Sequence, residues 1–136
     1  MSFSDIMIYD LMTKKYRASS GNVIFSEGGN YELPINRETD IIQFIPYLNG
    51  DVSFVVAKKQ IGGGLDYKIY YDNTLIKSEE NLGPRNDIKA SINVLAGHFY
   101  RLTLTTSQPN VSVQTAAVNG EIVINNEPYY TASTCF

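Results

Sequence analysis

The chain has 136 residues, 43% of them hydrophobic and 18% charged, a balance that fits one compact domain and excludes a disordered chain. Its 11 Lys and Arg against 14 Asp and Glu leave a formal charge of −3, without the basic cluster a nucleic-acid binder needs. The single cysteine, Cys135, excludes an internal disulfide, and the single histidine, His98, excludes a zinc site built on several His or Cys ligands.

Taken in order, the chain opens on a segment with no basic region, and Asp5 and Asp10 stand where an apolar signal core should run. Synthesis without a standard export signal is therefore expected, placing the protein in the cytoplasm or within a particle or surface assembly. No apolar stretch approaches the length of a membrane span. Phe3, Ile6, Ile8 and Leu11 nevertheless make this end apolar and strand-like. Ile41–Pro46 and Val52–Lys58 are apolar on both faces, as central strands covered on both sides are. Asn49-Gly50 between them is a candidate hairpin turn. Gly62, Gly63 and Gly64 read as a loop. Tyr67–Tyr71 and Leu75–Ser78 flank Asp72-Asn73, a second candidate two-residue turn. Glu79-Glu80-Asn81 suits one short helical turn, and Leu82–Asp87 suits a longer loop.

Alternation is cleanest downstream. Ile88, Ala90, Ile92 and Val94 share one face of a strand, with Lys89, Ser91 and Asn93 on the other. Tyr100, Leu102 and Leu104 alternate with Arg101, Thr103 and Thr105, and Val111–Ala117 repeats the pattern. Asn119-Gly120 is the strongest short-range hairpin signal in the chain. From Tyr129 to Phe136 there is no charged residue and no proline to guard a sheet edge. Period two throughout predicts an all-β, antiparallel, jelly-roll-like β-sandwich of about ten short strands, one domain over residues 1–136. Its core is expected to contain Phe44, Val52, Phe54, Val56, Ile69, Ile88, Ile92, Val94, Leu102, Leu104, Val111 and Val113.

Catalytic chemistry finds no foothold. There is no Gly-x-Ser-x-Gly elbow, Cys135 stands at a chain end, and His98 reads as a turn residue at the sheet rim. The carboxylates near strand ends, Glu38, Asp40, Asp51, Asp66, Asp72, Glu79, Glu80 and Asp87, lack EF-hand spacing, and the glycine run is no phosphate loop. No catalytic residue, metal or cofactor is expected. The ten tyrosines are more informative, because adjacent pairs such as Tyr70-Tyr71 and Tyr129-Tyr130 each send one ring outward. Outward tyrosines suit protein contact or sugar stacking. The candidate interaction surface is Ile6, Ile8, Tyr70, Tyr129, Tyr130 and Phe136.

Asp40-Ile-Ile-Gln-Phe44, Gly50-Asp-Val-Ser-Phe54, Asp66-Tyr-Lys-Ile-Tyr70, Ile88-Lys-Ala-Ser-Ile92 and Ala96-Gly-His-Phe-Tyr100 follow one another over about half the chain. This series resembles the bacterial pre-peptidase C-terminal domain and the related collagen-binding modules. The resemblance implies a jelly-roll sandwich with a non-catalytic accessory role, and it carries over no binding residue. Two functions follow as expectations. One is a non-enzymatic structural subunit of a homo-oligomer or larger assembly, such as a virion component or surface fibre, joined through sheet edges and tyrosines. The alternative is a small module that binds glycans or cell surfaces.

Overall fold

The structure, a computed structural model, describes residues 23–46, 49–60, 62–83, 87–120 and 130–134. These form nine strands: β1 (Val23–Glu32), β2 (Thr39–Pro46), β3 (Gly50–Lys59), β4 (Leu65–Tyr71), β5 (Thr74–Leu82), β6 (Ile88–Val94), β7 (Tyr100–Thr106), β8 (Ser112–Gly120) and β9 (Tyr130–Thr134). One sheet runs β1-β8-β3-β6 and the other β5-β4-β7-β2-β9, and every ladder is antiparallel. The pairing of first with eighth, second with seventh, third with sixth and fourth with fifth is the jelly-roll order.

Alternation builds the core. On β4, Leu65, Tyr67 and Ile69 are buried, and on β7 so are Tyr100, Leu102 and Leu104. Val52, Phe54 and Val56 of β3 and Ile88, Ala90 and Val94 of β6 meet them from the other sheet. Phe44 and Phe54 join the two layers edge to face, with ring centroids 6.1 Å apart. Eleven of the twelve expected core residues are buried, and Ile92 packs partly buried against them. Tyr100 escapes the usual cost of burying a phenol because its hydroxyl accepts the Leu95 N–H at 2.8 Å.

The turn chemistry divides. Asp72-Asn73 does connect β4 to β5, and φ values of 45° and 68° mark a type I′ turn. Asn49-Gly50 makes no hairpin. Both flanks of β2 are occupied, by β7 and β9, so the chain crosses to the other sheet to begin β3. Asn119-Gly120 makes no turn either. Both residues continue β8, Asn119 opposite Ser53 and Gly120 opposite Val52, held by ladders that outweigh a local turn preference. The strand position has a cost, since the buried Asn119 Oδ1 finds no hydrogen-bond partner among the described residues.

Glu79-Glu80-Asn81 forms no helical turn. The three residues lie in β5, where Asn81 takes a φ of 56° at a bulge and gives its N–H to Asp66 Oδ1 at 2.9 Å. The two-sided burial expected of β3 is also wrong. Val52, Phe54 and Val56 are inside, while Ser53, Val55 and Ala57 are only half covered, because no further layer lies on that face among the described residues.

Candidate functional site

The side of the five-stranded sheet turned away from the core carries a dense polar cluster. Alternation sends Lys68 and Tyr70 of β4, Arg101, Thr103 and Thr105 of β7, and Gln43 of β2 to this side. Asp40 joins them from the start of β2 and Glu38 from the position just before that strand. The Tyr70 hydroxyl and the Thr103 hydroxyl both donate to Glu38 Oε2, at 2.5 Å and 2.7 Å. Arg101 Nη1 donates to Asp40 Oδ1 at 2.7 Å, and Arg101 Nε reaches Asn73 Oδ1 at 3.3 Å. The guanidinium lies 4.2 Å from the centre of the Tyr70 ring, so one ring face is already covered by a cation.

Charge follows from these contacts. Burial pushes the Glu38 carboxyl up, but the Tyr70 and Thr103 donors and the Lys68 and Arg101 charges more than reverse this and leave it below the ordinary range. The bond to Glu38 pushes the Tyr70 phenol up, aided by burial. A general acid for glycoside chemistry needs a carboxyl held protonated near neutrality, and Glu38 is shifted the other way. What the cluster offers is a fixed set of donors and acceptors.

The neighbouring rim is tied to it through Asn73. His98 Nδ1 lies 2.6 Å from Asp72 Oδ2, the Phe99 N–H donates to Asp72 Oδ1 at 2.9 Å, and His98 stacks on Tyr71 with centroids 4.9 Å apart. The histidine is therefore the rim residue the sequence indicates, held by a turn aspartate. Among the described residues no three His, Cys, Asp or Glu side chains come together as metal ligands would.

Of the expected interaction residues, Tyr70 lies at the centre of the cluster. Ile6, Ile8, Tyr129 and Phe136 lie outside the described residues, and Tyr130 opens β9, where the backbone pairs with Pro46 of β2. The partners of Tyr70 escaped the sequence reading. Arg101 and Thr103 showed only as the polar half of an alternation, and Glu38 and Asp40 only as loop carboxylates. The missed signal is that β4, β7 and β2 all place polar residues on one side of the same sheet.

Comparison with known proteins bears on the fold. A family 35 carbohydrate-binding module from an environmental isolate superposes with a TM-score of 0.52 and 12% identity, covering 87% of this chain and 96% of that one. The C-terminal CBM6 of a marine laminarinase from Zobellia galactanivorans aligns with a TM-score of 0.40 and 11% identity, over 71% and 92% of the two chains. No family model matches the chain, and no curated protein does, so the resemblance to pre-peptidase C-terminal domains stands on its motifs alone. At such identity the likeness to the family 35 module is one of fold, an all-β jelly-roll sandwich.

Proposed function

We propose that this protein is a non-catalytic carbohydrate-binding module whose ligand docks on the outer face of the five-stranded sheet. The observation that carries the proposal is the Arg101 cluster. A guanidinium and two carboxylates, braced by Tyr70, Thr103 and Asn73, present donors and acceptors side by side on a sheet face that no further layer covers among the described residues. Adjacent sugar hydroxyls each donate and accept, and such a pair fits a neighbouring Arg donor and Asp acceptor. The carbohydrate-binding character of the similarly folded family 35 module supports the same reading.

The structural-subunit reading draws less support. It rests on the chain ends, and the end segment that is described, Tyr130–Thr134, pairs with β2 of its own chain. Nothing points to a virion.

A glycan array probed with the wild-type protein and with Arg101→Ala tests the proposal. Retention of the wild type on a defined set of sugars is expected, with at least about tenfold weaker retention of the variant, the loss of a central anchor. Wild-type protein that binds no glycan overturns it.

A further inference from the structure

The strand register lines up four side chains across the outer face. Leu75 pairs with Tyr70, Tyr70 with Arg101, and Arg101 with Gln43, so β5, β4, β7 and β2 each contribute one residue to a single transverse row. Cross-strand partners share a face, and this row points away from the core. Three inter-strand steps make it about 14 Å long. The row is chemically graded. Leu75, 48% exposed, gives an apolar end. Tyr70 and Arg101 stack at the centre, with Asp40 beside the guanidinium. Gln43 carries the row onto β2 with an amide that both donates and accepts, and its backbone pairs in turn with Ser133 of the edge strand β9.

The four charges bound into the centre of the row cancel. Lys68 and Arg101 act on Glu38, and Arg101 is ion-paired with Asp40, two cations against two carboxylates. The chain as a whole carries −3, which repels a polyanion. Resting on the carbohydrate-binding reading above, we infer that the ligand is a neutral, linear glycan lying across the strands from Leu75 to Gln43. A sugar ring in an extended chain advances roughly one strand spacing, so the row holds about three consecutive units.

Isothermal titration with linear β-glucan, mannan and xylan oligosaccharides of one to six units tests this, with oligogalacturonate as the anionic comparison. In the series that binds, affinity climbs with length to about three units and then levels off, with little dependence on salt. Leu75→Ser and Gln43→Ala stand on either side of the Tyr70–Arg101 centre, away from the core. Each weakens the trisaccharide about three- to tenfold and removes most of its advantage over the disaccharide, and thermal melts confirm that each variant is folded.

Three results overturn the inference while leaving carbohydrate binding intact. They are full affinity reached with a single sugar, indifference to both substitutions, and preferred binding of oligogalacturonate that weakens steeply with salt. A wild-type protein that binds no sugar in the set or on the array overturns the carbohydrate-binding reading itself.

Discussion

Tyr70 acts through its hydroxyl as much as through its ring. The phenol donates to Glu38 while Arg101 covers one ring face, so the residue braces the cluster. Tyr70→Phe is expected to let the Glu38 carboxyl rise toward its ordinary value, read by carbon-detected NMR titration; an unmoved midpoint shows that the bond is absent in solution. The lowered Glu38 value, and that of Asp72, held down by its hydrogen bond from His98, have a common consequence for stability. A carboxyl depressed on folding stabilises above the ordinary carboxylate range, and that contribution is lost as pH falls through the folded value. Calorimetric melts from neutral pH downward should fall off less steeply in Glu38→Gln than in the wild type. Tyr70 was legible as an outward ring because alternation fixes direction. Its partners were not, because Glu38 and Arg101 stand 63 positions apart and only the β2–β7 and β4–β7 ladders bring them together.

The β4–β5 hairpin and β8 show when turn chemistry decides an element. Asp72 and Asn73 succeed as a turn because β5 is an edge strand whose ladder ends there, so nothing competes with the left-handed preference of the pair. Asn119 and Gly120 fail because neighbours on both sides claim the backbone of β8. A dipeptide reports local freedom, and a two-sided ladder overrides it; that information lies in residues far along the chain. Asn119→Thr is therefore expected to stabilise the protein by about 0.5–1 kcal/mol, by adding a strand-favouring residue and removing an amide oxygen that has no partner among the described residues. Urea unfolding measures it, and a loss of stability would mean that Asn119 does not lie in a strand. Asn73→Gly separates two roles of one residue. The turn survives, because glycine accepts a φ of 68°, while Arg101 loses its Nε acceptor, so glycan affinity should drop with little change in melting temperature.

Across the whole molecule, stability should reside where the two sheets meet. Phe54 is fully buried and touches Phe44 across the layers, so Phe54→Ala is expected to cost about 3–5 kcal/mol in chemical denaturation. A cost below about 1 kcal/mol would contradict the packing described. Core and class were readable from the sequence because period two marks both, as Ile88–Val94 shows residue by residue. Sheet membership was not, because alternation tells which way a side chain points and not which strand lies beside it. The same alternation has an evolutionary consequence. Along β4 and β7 the residues that fold the protein and those that would meet a ligand take turns in the chain, one inward and the next outward. Selection can rewrite Lys68, Tyr70 or Arg101 while Tyr67, Ile69 and Leu102 stay fixed, so under the proposed carbohydrate-binding role a preference for one sugar can drift to another without passing through an unfolded ancestor.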